Sequence, residues 1–163
     1  MEPIFKFAIM DGLSESGISF LPKQGTELAT GWDVRAAISE PFYIEEGQYA
    51  KIPLGFRVFA PDGWWLELRP RSSTFIKKNL DCLYGVLDED FFGMCQMCVR
   101  YQPDINSMDQ DGLTINPGEA IGQLVPVKRQ TMKVEIVSNQ EFDKLCKIKQ
   151  TTRDVAGFGT TGR

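Results

Sequence analysis

Hydrophobic and polar residues alternate with a period of two along most of the chain. In WWLELRPR, Leu66 and Leu68 alternate with Glu67 and Arg69, as expected of a strand with one buried face. The segment MKVEIVS, residues 132–138, alternates in the same way and predicts another strand. The same pattern predicts strands at Ile18–Leu21, Trp32–Ala36, Phe42–Glu45, Ala50–Ala60, Gly93–Tyr101, Gly112–Ile115 and Ile121–Lys128.

Helical patterns are scarce. RSSTFIKKN favours a turn or two of helix after Ser72. SNQEFDKLCKI predicts the one short helix, with Ser138 or Asn139 as its N-cap. Many short strands with little helix indicate an all-β antiparallel sandwich or barrel over residues 1–149. Residues 150–163 lack apolar periodicity and are predicted to form a mobile C-terminal arm.

The composition is that of an ordinary globular domain. The chain has 163 residues and a net charge of −4, which argues against bulk binding of nucleic acid or of an anionic membrane. It has no apolar run long enough to span a bilayer and no signal peptide pattern. We therefore expect a cytoplasmic protein, in the host cytoplasm if the source is a virus.

The absence of histidine narrows the chemistry. With no histidine in the chain, Ser-His-Asp catalysis and His-ligated zinc are excluded. Cys95 and Cys98 form a single C-x-x-C, but residues three apart on a strand face opposite sides, so buried free thiols are favoured over a zinc or redox site. An enzyme of this composition needs a carboxylate base, with or without a metal ion bound through oxygen ligands.

Two segments have the composition of phosphate sites. The C-terminal GFGTTGR combines glycines with hydroxyls around an aromatic ring. In RPRSST, the Arg71 guanidinium and the hydroxyls of Ser72 and Ser73 suit phosphate oxygens. A helix cap with a surface ion pair explains RPRSST equally well.

Acids and amides punctuate three other apolar segments. In YGVLDEDFFGM, Asp88 and Asp90 share one face of an extended chain and Glu89 opposes them. Asp88 is thus a candidate to orient a water, although a solvated hairpin turn is the simpler interpretation. Gln123 interrupts an apolar strand and needs hydrogen-bond partners from the backbone or from a ligand. Asp33 lies within a Trp/Val/Ala strand, where we expect it to pair with Arg35 or to face a site.

The order and spacing of five segments carry more information than any one of them. GWDVRAA, PRSS, GVLDEDFFG, GEAIGQLV and RDVAGFGTTG resemble the five ordered motifs of the trimeric deoxyuridine triphosphate nucleotidohydrolases, the dUTPases, of the phage or bacterial kind. The resemblance runs from Gly31 to Gly162. It implies a jelly-roll-like subunit, a homotrimer with sites at subunit interfaces, and Mg²⁺-dependent hydrolysis of dUTP to dUMP and pyrophosphate. That reaction limits uracil incorporation into DNA and supplies dUMP for dTMP synthesis.

The resemblance also implies roles for individual residues. Asp88 would be the general base that orients water on the α-phosphorus, with Gln123 near the phosphate and the water. Asp33 would act through waters near a Mg²⁺ that has no direct protein ligand. The residues that would bind the substrate are Arg71, Ser72, Ser73, Gly85, Val86, Leu87, Phe91, Gln96, Arg153, Phe158, Gly159, Thr160 and Thr161. The arm would close over the site of a neighbouring subunit, and Phe158 would stack on uracil.

The chain departs from the family pattern in several places. Phe91 replaces a usual Tyr beneath the deoxyribose, Ser73 replaces a common Gly, and residues 154–156 replace small Gly-rich residues. The stretch 103–111 looks longer than the usual connection. An ordinary surface loop is the simpler interpretation, and a site for a regulatory protein partner is the alternative. A dCTP deaminase of the same fold is the alternative enzyme, but GMCQMCVRY lacks the acid expected there.

Overall fold

The computed structural model describes residues 2–13, 18–103 and 112–149. The chain divides into two compact units, Met1–Gln130 and Thr131–Arg163. The described residues are mostly strand, as the sequence predicts. The strands are β1 (Lys6–Ile9), β2 (Lys23–Gln24), β3 (Trp32–Arg35), β4 (Phe42–Glu45), β5 (Tyr49–Pro53), β6 (Phe56–Phe59), β7 (Trp64–Pro70), β8 (Leu80–Cys82), β9 (Gly85–Leu87), β10 (Gln96–Tyr101), β11 (Gly112–Ile115) and β12 (Ala120–Lys128).

Antiparallel pairing joins these strands into four sheets. The largest has five strands in the order β2-β3-β12-β7-β9, and a second has the order β5-β10-β8. β1 pairs with β6, and β11 pairs with β4. One hydrophobic core collects the inward side chains of these sheets, including the fully buried Ile44, Phe56, Leu80, Tyr101 and Ile121.

Strand β7 shows why the period-two pattern is informative. Leu66 and Leu68 are buried, whereas Glu67 and Arg69 point outward and form an ion pair of 2.7 Å. The sheet thus has an apolar inner face and a polar outer face.

A bulge interrupts the ladder between β3 and β12. Ala120 lies opposite Arg35, but the next pair is Gly122 opposite Val34, so Ile121 is an extra residue on β12. A bulge of this kind changes the direction of the strand and re-aims the side chains that follow it. Gly122 follows the bulge without a side chain, so the first side chain after it is that of Gln123, which lies opposite Asp33 on one side and Arg69 on the other.

Two strand predictions in the first unit need correction. Residues 18–21 form no strand, and the two-residue β2 begins at Lys23 instead. The predicted strand Ala50–Ala60 is divided into β5 and β6 at Leu54–Gly55. Gly55 has φ of 79°, a left-handed conformation that breaks an extended chain and that favours glycine.

A five-residue helix, α1 (Ser72–Ile76), adds to the one short helix of the prediction, at the segment where we expected a turn or two. It begins at Ser72 itself, with Arg71 as the N-cap residue. Its buried residue is Thr74.

The described part of the second unit contains helix α2 (Asn139–Lys149). The Ser138 hydroxyl accepts a hydrogen bond of 3.2 Å from the Glu141 amide, which confirms Ser138 as N-cap. The predicted strand at residues 132–138 is wrong, because this segment forms no strand. The apolar side chains of this segment, Val134 and Ile136, are exposed. Alternation predicts a strand, but a strand also needs a neighbouring strand to pair with.

Within the described ranges no helix is both long and apolar enough to cross a membrane. The predicted arm, residues 150–163, lies outside the described residues, so the predicted boundary between domain and arm stays a prediction.

Candidate active site

A row of polar side chains crosses the outer face of the five-stranded sheet. The ladder places Lys23 opposite Asp33, Asp33 opposite Gln123, and Gln123 opposite Arg69. Residues that lie opposite one another on neighbouring strands share a face and contact each other. Two of the five sequence segments, those of Asp33 and Gln123, therefore meet in this row.

Arg71 brings a third segment to the row. It follows β7 in an extended conformation, and its Nε lies 3.0 Å from Asp33 Oδ1. The expected pairing of Asp33 with Arg35 is wrong, because Arg35 Nη1 instead donates to the Gly118 carbonyl at 2.8 Å. A partly exposed ion pair contributes at most about 1 kcal/mol, so the pairing with Asp33 matters more for the direction of the Arg71 guanidinium than for stability.

Gln123 finds its hydrogen-bond partner in the backbone, the first of the two alternatives that the sequence leaves open. Its Nε2 donates to the Pro70 carbonyl at 3.1 Å. Gly31 makes room for it, since a Cβ on Gly31 would overlap the Gln123 side-chain oxygen and lie 2.9 Å from Cδ. Gly31 had no predicted role; its only signal in the sequence is a glycine two residues before Asp33 at the start of a strand.

The two serines lie beside this cluster at the start of α1. Ser72 is exposed and Ser73 is half-buried. Arg71 occupies the N-cap position but makes no side-chain capping bond, because a guanidinium has only donors and cannot accept from the helix amides. Its Nε contacts Asp33 instead. Its side chain thus belongs to the polar row rather than to the helix end.

The acidic loop after β9 has one inward and two outward carboxylates. Glu89 Oε2 accepts a bond of 3.0 Å from the Gly63 amide and lies 3.4 Å from Arg129 Nε. Asp88 and Asp90 are exposed, as the alternation predicted. The Phe91 amide donates to the Asp88 carbonyl at 3.0 Å, which closes a turn.

The two phenylalanines after the acids are not in the core, although phenylalanine is commonly buried. Phe91 is 39% and Phe92 56% exposed. Phe92 stacks on Phe59 with 5.9 Å between ring centroids, and the Phe91 ring lies against Gly93. Both rings are therefore available to a ligand or to another chain.

The remaining predicted substrate contacts lie on two sheets. Gly85, Val86 and Leu87 form β9, opposite Leu68, Glu67 and Leu66 of β7. Val86 is exposed and Leu87 is buried. Gln96 is exposed at the start of β10, in the three-stranded sheet.

One chain does not bring Asp88 to the polar row. Since Leu87 lies opposite Leu66, Asp88 is level with Trp65. Arg71 is six residues further, at the extended end of β7. At about 3.3 Å per residue, the backbones at the two positions are about 20 Å apart. A carboxylate acts on a substrate directly or through one water, within about 6 Å.

The thiols are not arranged for metal or redox chemistry. All four cysteines are free. Burial raises the pKa of Cys82 and that of Cys95 to about 12, with a smaller contribution from Asp81 at Cys82. Cys95 is buried and Cys98 half-buried, as expected for residues on opposite faces. Within residues 2–13, 18–103 and 112–149, no group of three or more Cys, Asp or Glu side chains is placed to hold a metal ion.

Other predicted site residues lie outside the described residues. They are Arg153, Phe158, Gly159, Thr160 and Thr161, together with nearly all of the 103–111 stretch.

The fold and the site define an antiparallel β protein that carries an Arg, a Gln and a carboxylate on one sheet face. Comparison with known proteins is more specific. The family model for dUTPase matches residues 19–162. The deoxyuridine 5'-triphosphate nucleotidohydrolase of Fusobacterium nucleatum is 34% identical over 153 residues, covering 93% of this chain and 94% of that protein. The corresponding protein of Chlamydia muridarum is 36% identical over 150 residues, covering 91% and 94%. The chain belongs to the dUTPase family.

Solved structures show the same fold. A mutant of the dUTPase from phage 80alpha superposes with a TM-score of 0.77 at 19% identity, covering 98% of this chain and 99% of that one. A mutant of the dUTPase from Staphylococcus aureus phage phi11, described with a structural Mg(II) ion, gives 0.70 at 17% identity, covering 83% and 97%. The jelly-roll-like fold predicted from the sequence is confirmed.

Proposed function

We propose that the protein hydrolyses dUTP to dUMP and pyrophosphate, which limits uracil incorporation into DNA and supplies dUMP for dTMP synthesis. The observation that carries the proposal is the cluster of Asp33, Arg71 and Gln123, three segments far apart in sequence that meet on one sheet face of a dUTPase-family chain. Deamination of dCTP is not favoured, because the relatives are named as dUTP hydrolases.

The polar row has the chemistry to hold a triphosphate. The Arg71 guanidinium offers a fork of donors, and the hydroxyls of Ser72 and Ser73 stand next to it. Hydrolysis of a triphosphate depends on charge neutralisation and in-line positioning rather than on a covalent nucleophile. Gln123, hydrogen-bonded to the Pro70 carbonyl through Nε2, keeps its side-chain oxygen for a water or for the substrate.

Asp88 is the proposed general base. It is exposed, while its neighbour Glu89 holds the loop through Gly63 and Arg129. This anchoring fixes the loop without using the carboxylate of Asp88, which is then free to orient a water on the α-phosphorus. Gly85, Val86 and Leu87 would read the base through backbone groups, with Gln96 also facing it. Phe91 would pack beneath the sugar.

The donor set fits a magnesium ion that arrives with the substrate. Mg²⁺ keeps several waters and is commonly bound through one or two carboxylates plus substrate phosphates. Asp33 is the carboxylate of the cluster, with one oxygen engaged by Arg71, and we propose that it acts through water. When bound, the ion would neutralise charge on the phosphates.

The distance between Asp88 and Arg71 supports a site shared between copies of the chain. Because about 20 Å separates them along β7, we propose that Asp88 of one copy works with Arg71 and Gln123 of the next. A cyclic homotrimer repeats this contact three times. The C-terminal arm, with Arg153, Phe158, Gly159, Thr160 and Thr161, would close over the shared site as a lid. Binding of a regulator at residues 103–111 stays a prediction.

The test is a nucleotide screen with Mg²⁺, in which pyrophosphate and ammonia are both measured. We expect pyrophosphate from dUTP alone. Asp88→Asn should lower kcat by about a hundredfold or more. The matched control is Asp90→Asn, which changes another exposed carboxylate of the same loop. Ammonia from dCTP, or equal losses in the two variants, would contradict the proposal.

A further inference from the structure

Thr74 stands out among the polar side chains of the first unit. Within the described ranges it is the only buried side chain among polar and charged residues, cysteine and tyrosine aside, and it has no solvent exposure. Its Oγ1 donates a hydrogen bond of 2.9 Å to the carbonyl of Ile121. A buried hydroxyl is accommodated only with such a partner, so the contact links α1 to the start of β12.

The bulge in β12 explains why the Ile121 carbonyl accepts this bond. Ile121 is the extra residue between the pairs Ala120–Arg35 and Gly122–Val34. A bulged residue drops out of the ladder, and its buried carbonyl then needs another donor. Thr74 supplies that donor from the neighbouring helix.

Arg71 is therefore flanked in sequence by two hydrogen bonds to β12. Before it in sequence, the Pro70 carbonyl accepts from Gln123 at 3.1 Å. After it, Thr74 donates to Ile121 at 2.9 Å. Since Ile121 and Gln123 are both on β12, the backbone around Arg71 is attached to that strand on either side.

A third link acts at the far end of the helix. Lys78 Nζ contacts Glu119 Oε1, and Glu119 Oε2 accepts a bond of 2.9 Å from the Asn116 amide. Lys78 follows α1 and Glu119 precedes β12, so this ion pair joins the end of the helix to the turn before β12. The segment from Pro70 to Lys78 is thus attached to β12 and its preceding turn at three points.

We propose that Thr74 is a positioning residue, which acts through Arg71 by holding the phosphate-binding segment in register with Gln123. This inference rests on the proposed function, which names dUTP as the substrate. Thr74 itself is fully buried, so it would act without contacting the substrate. Its carbonyl partner exists because of the bulge that also directs Gln123 towards Asp33 and Arg69.

The first test compares Thr74→Val with Thr74→Ser. Valine keeps the shape and removes the hydroxyl, leaving the Ile121 carbonyl without its donor, whereas serine restores the donor. Displacement of a positioning group by about 1 Å lowers rates by up to about a hundredfold, so we expect kcat/KM for dUTP to fall about ten- to a hundredfold in Thr74→Val. Thr74→Ser should recover most of that loss.

A core variant separates positioning from simple destabilisation. Val58→Ala removes two methyl groups from a buried side chain on β6, which pairs with β1 and is not part of the five-stranded sheet. It should lower Tm while leaving kcat/KM unchanged. If Val58→Ala lowers kcat/KM as much as Thr74→Val does at comparable loss of Tm, the role of Thr74 is structural and the proposal is overturned.

The decisive measurement is a double-mutant cycle with Arg71→Lys, which keeps the charge and removes the fork. If Thr74 acts through Arg71, Thr74→Val should cost no more than about twofold in the Arg71→Lys background. Equal costs in both backgrounds would overturn the proposal.

The two proposals fail in different ways. If the wild-type protein releases no pyrophosphate from dUTP, the proposed function is wrong, and the same cycle is read from the dissociation constant of the analogue dUpNHpp. Non-additive binding losses would then support the positioning role and additive losses would overturn it. Absence of any dUpNHpp binding overturns both.

Discussion

Mixing two inactive variants should restore activity if the site is shared between copies. Asp88→Asn removes the base from one side of the site and Arg71→Ala removes the phosphate fork from the other. If Asp88 of one copy serves Arg71 of the next, then an Arg71→Ala chain can supply an intact Asp88 to an Asp88→Asn chain that supplies an intact Arg71. Neither variant alone can form such a site.

The expected magnitude follows from the geometry. A base variant loses about 10²–10⁴ in rate, and a lost charge-assisted contact with a phosphate costs about 1.5–3 kcal/mol, roughly tenfold to a hundredfold. In a cyclic trimer that contains both variants, whether two to one or one to two, one interface in three pairs the two intact halves. Purified mixed trimers should therefore show about one third of wild-type activity. A mixed dimer would show about one half, so the recovered fraction also reports the number of copies.

The assay uses co-expression of the two variants with different affinity tags and sequential purification on both. Pyrophosphate release from dUTP is then compared among the mixed assembly and the two parents. A matched control replaces Asp88→Asn by the double variant Asp88→Asn/Arg71→Ala, which cannot supply an intact Arg71. Activity in the mixture no higher than in the parents would refute the shared site and with it the inference from the separation of about 20 Å along β7.

Two further predictions address the supporting residues. Gly31→Ala should displace the Gln123 amide and lower both kcat/KM, by about tenfold, and stability, by about 1–2 kcal/mol, in pyrophosphate and thermal unfolding assays. Gly25→Ala, where an added Cβ meets nothing within 4 Å, should change neither. Because the pKa of Cys82 and of Cys95 is raised from 9.0 to about 12 in the folded chain, their contribution to stability is complete below pH 9 and is lost as the pH rises towards 12. Urea unfolding should show a loss of about 1.4 kcal/mol per thiol by pH 10. This loss should be smaller in Cys82→Ala, and an unchanged pH dependence in that variant would contradict the assignment.

The strands could be predicted from the sequence where apolar and polar residues alternate because one face of the strand is buried. Predicted and observed bounds coincide for β4 and β11 and differ by one residue for β3 and β12, because each presents one face to the core. The short β1 is not among the predicted strands, although Phe7 and Ile9 alternate with polar or small residues in it. Residues 132–138 were misread because alternation carries no information about the neighbouring strand.

The chemistry-bearing residues could be named from their order, but their contacts could not. Arg35 was the expected partner of Asp33 because it is close in sequence. The actual partner, Arg71, is 38 positions away and reaches Asp33 across β12. A local pattern shows which face of a strand a residue occupies. The strand order that brings the end of β7, and with it Arg71, near Asp33 of β3 is a property of the whole sheet.

The residues that hold the site carry none of its proposed chemistry, and this is why sequence reasoning passed over them. Gly31 acts by having no side chain, Thr74 by a hydroxyl hidden from solvent, and Glu89 by attaching the loop that leaves Asp88 exposed. The role of each depends on the atom that it contacts, and that atom lies on a segment distant in sequence. Substitutions at these positions should therefore alter catalysis while every proposed catalytic group is intact, and the size of that effect measures how much of the activity depends on alignment rather than on the identity of the reacting groups.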